Sequence, residues 1–272
     1  MMPGENVVVV RDLVVKYADR TILDGINLDI SKGEVLVLLG GSGSGKSTLL
    51  RHLIGLEKPL SGSITVKGVE ISRCSEAELN QVRRFIGVSF QNAALFGSMT
   101  VSENVAFPLL ERTRLVDSTI DKVVLLKLAQ VGLVHFGGFY PSELSGGMLK
   151  RASVARATAL DPEILFFDEP SAGLDPITAA GIDELVVYLK NALQMTVLVV
   201  THELRSAFKI ADRLAFLRDS KLVAIGPKDS IAHSTDPWVR QFLDRLPDTT
   251  SNDNTELVQH LAEKLGVRCP KN

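Results

Sequence analysis

The chain has 272 residues, 45% of them hydrophobic and 23% charged, which suits one buried core or one core with a smaller attached unit. A formal net charge of −2 gives no bulk attraction for nucleic acid or anionic lipid, so no nucleic-acid partner is expected. The two cysteines, Cys74 and Cys269, stand in unrelated contexts; they make neither a disulfide framework nor a zinc site and suit a reducing compartment.

Residues 1–6 have no basic segment, so no signal peptide is expected, and no apolar run approaches the ~20 residues of a membrane span. Residues 7–16 alternate and are rich in valine, which predicts an edge or second-layer strand with Tyr17 in the turn behind it. A second alternating strand follows over 22–30. The apolar run 34–39 reads as a buried strand, residues 49–54 as a helix, and 64–66 as part of a hairpin. Residues 85–90 form a short strand ending in Gln91. The next stretch, 92–100, has loop character yet carries Leu95, Phe96 and Met99, so it either folds back on the core or forms a docking patch. A helical insert follows to about residue 160. Within it Val123, Val124, Leu126, Leu128 and Val131 recur at helical spacing, and Asp117 or Ser118 is placed to cap the helix.

Ile164-Leu165-Phe166-Phe167 is apolar throughout, the mark of a strand buried on both faces, and it ends in Asp168-Glu169. A helix is predicted over 178–193, a buried strand over 196–200 ending in Thr201-His202, a helix over 206–211, and strands over 213–217 and 221–226. Asp236-Pro237 opens a short helix. Residues 247–255 are polar and read as a linker. Residues 256–266 are amphipathic, with Leu257, Val258, Leu261 and Leu265 on one face. A helix that short must dock, on its own domain or on a neighbouring copy.

The chemistry begins at Gly40-Gly41-Ser42-Gly43-Ser44-Gly45-Lys46-Ser47-Thr48. Strand, glycine loop and helix with GxxxxGK[ST] form a phosphate-binding loop in the required context. Glycines let backbone N–H groups approach a polyphosphate without a Cβ in the way, and the helix N-terminus adds donors and positive potential. Lys46 is expected to reach the β- and γ-phosphates and the Ser47 hydroxyl to ligate Mg²⁺. Asp168, at the end of a strand expected to lie beside the phosphate-loop strand, suits the same ion. Glu169, aimed differently, is the candidate general base for an attacking water. His202, at another strand end, is assigned a γ-phosphate contact. The Gln91 amide either binds Mg²⁺ or orients water, and it touches the candidate docking loop.

The order of these elements resembles the nucleotide-binding domains of ABC transporters over about residues 7–230. The motifs are the phosphate loop 40–48, Gln91 as the Q-loop, Leu144-Ser145-Gly146-Gly147-Met148 as the signature, Ile164 to Glu169 as Walker B, Ser171 to Asp175 as the D-loop, and His202 as the switch histidine. The resemblance implies an α/β fold with a RecA-like P-loop NTPase core, an antiparallel β layer and an inserted helical subdomain at about 92–160. It implies a domain spanning 1–246, with 247–272 as linker and terminal helix. ATP and Mg²⁺ become the expected cofactors. Tyr17 is expected to stack on adenine, a contact of roughly 1–3 kcal/mol. In the family Ser145, Gly146 and Gly147 cap the nucleotide of the facing subunit, so the chain is expected to work as a head-to-tail homodimer with two ATP molecules at the seam. Met148 and Gly41 depart from the glutamine and proline common there without removing a catalytic group.

Within the family, residues 93–96, 103–109, 141–148 and 236–243 are similar to the ATPases of phospholipid transporters that maintain outer-membrane lipid asymmetry. That likeness implies a peripheral subunit on the cytoplasmic face of the inner membrane. Its implied partners are an integral permease, a periplasmic lipid-binding protein and often a small cytosolic accessory subunit. The alternatives are an ABC importer ATPase for an amino acid or metal ion, and a non-transport ABC ATPase.

Overall fold

Alternation at the start of the chain builds an antiparallel layer. In the computed structural model, which describes residues 5–246 and Lys264, β1 (Asn6–Tyr17) lies between β2 (Arg20–Ser31) and β4 (Ser61–Val66). The short β5 (Val69–Glu70) extends β4, giving the order β2-β1-β4-β5. The first strand is therefore internal to this second layer and not at its edge, and Tyr17 closes it instead of standing in the turn beyond.

The continuous apolar runs build the second sheet. β3 (Val35–Leu39), β6 (Ile86–Ser89), β7 (Ile164–Asp168), β8 (Thr196–Val200), β9 (Arg213–Arg218) and β10 (Lys221–Pro227) lie in the order β10-β9-β3-β8-β7-β6. All neighbours are parallel except β10 and β9. Every residue of β3 and β8 is buried, as expected where both faces are covered. Period two sorts them: Leu36, Leu38, Phe166, Leu198 and Val200 join the cluster that also holds Val8, Val10 and Leu13 of the antiparallel layer. Helix α1 (Lys46–Leu53) contributes Leu49, Leu50 and Leu53 to that same cluster. The core is thus a sandwich of two sheets with the phosphate-loop helix inside it.

One strand neighbour differs from expectation. β7 does not lie beside β3, because β8 comes between them. Asp168 still reaches the phosphate loop because α1 runs across β8 and touches β7.

Helix α2 (Glu76–Val82) precedes β6, and the insert holds α3 (Val101–Arg112), α4 (Asp117–Gln130) and α5 (Gly146–Ala157). Helix α2 opens with a Ser75–Glu78 capping box and α3 with a Thr100–Glu103 box. Helix α4 corrects the sequence reading twice. Its N-cap is Val116, with no side-chain bond from Asp117 or Ser118. Its buried positions are Ile120, Val124, Lys127 and Leu128, with Leu125 and Leu126 exposed. The aliphatic stem of Lys127 occupies a core position and its ammonium pairs with Asp161.

Helices α6 (Pro176–Leu193), α7 (Leu204–Ile210), α8 (Lys228–Ala232) and α9 (Pro237–Leu243) follow. Asp236 caps α9 through the backbone N–H groups of Trp238 and Val239. The chain divides into two compact units, Met1–Ile231 and Ala232–Asn272. The linker and amphipathic helix expected over 247–272 lie outside the described residues apart from Lys264. Among the described residues no helix is long and apolar enough to cross a membrane.

Candidate active site

The phosphate loop is built by close packing. A Cβ on Gly40 would stand 2.3 Å from the carbonyl oxygen of Leu217 on β9, so only glycine fits there. Gly43 and Gly45 have φ of 74° and 104°, the left-handed region that glycine reaches without strain. Gly45 is the N-cap of α1, with no side chain to cap it, so the helix-end donors stay available. The ammonium of the buried Lys46 donates to the carbonyls of Gly40 and Gly41 within the loop, both at 2.9 Å. Burial holds its pKa below the ordinary lysine value, with Glu169 and Asp168 pulling the other way. The Ser44 hydroxyl is buried with no hydrogen-bond partner. An orphaned donor beside a ring of backbone N–H groups fits an anionic oxygen.

Four more groups converge at the carboxyl ends of β7 and β8. Ser47 Oγ donates to Asp168 Oδ1 at 3.2 Å. Burial raises the Asp168 pKa, opposed by the bond from Ser47. Two hard oxygens this close are the donor set that Mg²⁺ shares with phosphate oxygens, so the residues fit that ion. Among the described residues no three or more His, Cys, Asp or Glu gather as a cage. Thr201 Oγ1 donates to Glu169 Oε2 at 3.2 Å, and His202 Nδ1 lies 2.9 Å from Glu169 Oε1. The Glu169 side chain is only 12% exposed and that of His202 64%, so the carboxylate sits inside and the imidazole at the rim.

Glu169 has φ 49°, left-handed for a residue with a Cβ. Such a backbone costs about 1–3 kcal/mol and persists only where its surroundings enforce it. Here its N–H donates to Val200 O at 2.8 Å, and its carbonyl accepts from Ala172 N at 3.2 Å and from Lys150 Nζ at 3.0 Å. The turn aims the carboxylate toward Thr201 and His202.

The other predicted residues are placed as follows. Gln91 is exposed and does not end a strand: β6 stops at Ser89, and the chain turns there through Ala93 and Ala94, both at left-handed φ. Tyr17 is 44% exposed, and its hydroxyl bonds to Glu57. Ser145 is the N-cap of α5, accepting from Met148 N at 3.4 Å, with Gly146 exposed and Gly147 buried. A Cβ on Gly147 would lie 2.3 Å from Thr178 Cγ2, so α5 and α6 pack closely there. Ser145, Met148, Ile177 and Thr178 border an open groove of about 520 Å³. Asp175 caps α6 through Ile177 N and Thr178 N, and the Thr178 hydroxyl holds its carboxylate below the usual range. Sequence reasoning missed Lys150 and Thr201 as parts of the site. A lysine inside a helix reads as a solvated residue, and only its buried face gives it away.

A glycine loop between β3 and α1, with carboxylates at the ends of β7, defines a phosphate-loop NTPase. Comparison with known proteins narrows the class. The ABC transporter family matches residues 23–172. The probable ribonucleotide transport ATP-binding protein mkl of Mycobacterium leprae is 43% identical over 89% of this chain and 70% of its own length. The intermembrane phospholipid transport system ATP-binding protein MlaF of Haemophilus influenzae is 42% identical over 88% of this chain and 91% of its own. The dimeric post-hydrolysis structure of the ATP-binding cassette MJ0796, bound to ADP and Pi, superposes with a TM-score of 0.75 at 31% identity, covering 81% of this chain and 98% of that one. The chain belongs to the ABC transporter family and is one of its ATP-binding, ATP-hydrolysing cassettes.

Proposed function

We propose that the chain powers phospholipid movement between the inner and outer membranes, acting from the cytoplasmic face of the inner membrane beneath an integral permease. Its working form is a head-to-tail homodimer with two ATP molecules at the seam. A periplasmic lipid-binding protein and a small cytosolic accessory subunit complete the assembly. Residues 1–246 make the ATPase domain, with 92–160 as its helical subdomain and 247–272 as linker and terminal helix.

The observation that carries this reading is a pair of hydrogen-bonded groups beside the phosphate loop, Ser47 with Asp168 and Glu169 with Thr201 and His202, held next to each other by the adjacent residues 168 and 169. Residues 40–48 wrap the phosphates through backbone N–H groups, and Lys46 exchanges its two loop carbonyls for phosphate oxygens. Ser47 and Asp168, with Gln91, would hold Mg²⁺, whose charge offsets that developing on the phosphates as the bond breaks. Glu169 takes a proton from the attacking water. Thr201 and His202 fix its carboxylate, and His202 meets the γ-phosphate from the rim. Tyr17 stacks on adenine with Glu57 holding its hydroxyl. Ser145, Gly146, Gly147 and Asp175 complete the site of the facing copy. The loop 92–100 carries the motion to the permease.

The cargo rests on the phospholipid transport named for the Haemophilus influenzae relative; the ribonucleotide transport named for the mycobacterial one supports a second reading. Isolating the tagged chain from detergent-solubilised membranes tests both. Recovery of an integral permease with bound phospholipid, and ATP turnover that rises with phospholipid, supports the first. A permease whose ATPase responds to ribonucleotides and not to lipid supports the second.

A further inference from the structure

Lys150 is a buried cation that the catalytic reading leaves unused. It lies in the second turn of α5, whose first turn carries Gly146 and Gly147. Its ammonium donates to two backbone carbonyls from different parts of the chain: Glu169 O at 3.0 Å and Gln91 O at 2.5 Å. A buried ammonium must satisfy its protons, and burial alone pushes its pKa below the ordinary lysine value, with Glu169 and Asp168 supporting the charge. Charge-assisted bonds to carbonyls are stronger than neutral ones and hold their acceptors more firmly.

The two acceptors matter for different reasons. The Glu169 carbonyl belongs to the one residue at the end of β7 that is held in the left-handed region. Rotation there would swing the carboxylate off Thr201 and His202. The Gln91 carbonyl lies at the entrance of the loop that Arg156, also on α5, fastens through the carbonyls of Ala93 and Ala94 at 3.1 and 2.7 Å. One helix therefore grips the carboxylate turn at Lys150 and the exposed loop at both Lys150 and Arg156.

We infer that Lys150 is a positioning residue for ATP hydrolysis, tying the helix that opens at Ser145 to the backbone of Glu169 and to the Gln91 loop, so that the three move as one body. The inference rests on the reading of Glu169 as the base. Displacing that carboxylate by a fraction of an ångström costs turnover while leaving the phosphate loop intact.

The test compares Lys150→Met, Lys150→Arg and Glu169→Gln in the full-length chain, with kcat and KM for ATP, binding of a fluorescent ATP analogue, and thermal melting. The expected result is a loss in kcat of about 10- to 100-fold in Lys150→Met with analogue affinity unchanged, and partial recovery in Lys150→Arg, which keeps the charge but on a longer, planar head. Unchanged kcat in a folded Lys150→Met, alongside an inactive Glu169→Gln, overturns the inference and leaves the base assignment standing. An active Glu169→Gln overturns the base reading itself. If both lysine variants lose their melting transition together with turnover, Lys150 serves the fold alone and the inference falls.

Discussion

At the residue scale, the site holds its charges at a cost to the chain that carries them. Burial raises the Asp168 pKa, and the bond from Ser47 offsets only part of that effect. A carboxylate whose folded pKa lies above its unfolded value favours the folded state when protonated. That contribution is present below the unfolded pKa and is lost as pH rises through the folded one. At neutral pH the ionised Asp168 therefore weakens the nucleotide-free chain. Asp168→Asn is expected to melt higher than the parent at neutral pH without nucleotide, with the difference shrinking as pH falls into the carboxylate range. The same variant should lose the stabilisation that Mg²⁺-ATP gives the parent. Melting curves across pH, with and without Mg²⁺-ATP, check both halves. Glu169→Gln behaves differently: it is isosteric and keeps Thr201 as a partner. We expect it to bind ATP and to lose turnover by about 10²–10⁴-fold, the range for removing a general base, measured by phosphate release.

At the element scale, the loop 92–100 is fastened at its start by Arg156 and over its second half by Asn104. Asn104 is fully buried; its Oδ1 accepts from Phe96 N at 2.8 Å, and its Nδ2 donates to Phe96 O, Met99 O and Thr100 O at 3.0–3.1 Å. Phe96 itself stays 43% exposed, tilted against Phe107 with centroids 4.9 Å apart. Of the two sequence readings of this loop, the fold-back is the one observed: its backbone folds onto α3, while the Phe96 ring faces outward. Asn104→Ala removes the hydrogen-bond partner of Phe96 N and Met99 O, while Phe96 O and Thr100 O keep backbone donors; each stranded group costs about 1–3 kcal/mol if it stays buried and unpaired. It should melt clearly lower yet still bind ATP, and faster proteolysis of 92–100 would locate the damage. Much at this scale was legible in advance, because glycines, caps and apolar runs act locally. The phosphate loop, the ends of β7 and β8 and the serine cap of α5 all carry such signals. The order of β3, β8 and β7 was not legible, since adjacency in a parallel sheet depends on crossovers and not on any residue. Lys127 and Lys150 were hidden for a related reason: burial of a lysine depends on distant partners, Asp161 for one and two loop carbonyls for the other.

At the scale of the whole molecule, the question is what would hold two copies together in the proposed dimer and what would part them. Ser145 and Gly146 are exposed at the N-terminus of α5, so that end offers donors outward. One helix end attracts an anion by only about 0.3–1 kcal/mol at an exposed site. Association costs at least ~4 kcal/mol in lost translation and rotation. Two helix ends alone therefore cannot hold a pair; in the head-to-tail dimer we propose, each triphosphate would also bridge the phosphate loop of one copy and the serine-glycine turn of the other, in a seam closed to water. Three consequences follow for sedimentation of Glu169→Gln, which preserves ATP. It should run as a dimer with Mg²⁺-ATP and as a monomer with Mg²⁺-ADP, which lacks the bridging phosphate. Adding Ser145→Glu should abolish the ATP dimer, because a carboxylate then faces a phosphate in both seams, while the site in each monomer still binds the fluorescent analogue. A Ser145→Glu form that dimerises on ATP as well as its parent would show that this turn does not meet the nucleotide of a second copy, and hydrolysis would then need another route to separate the pair.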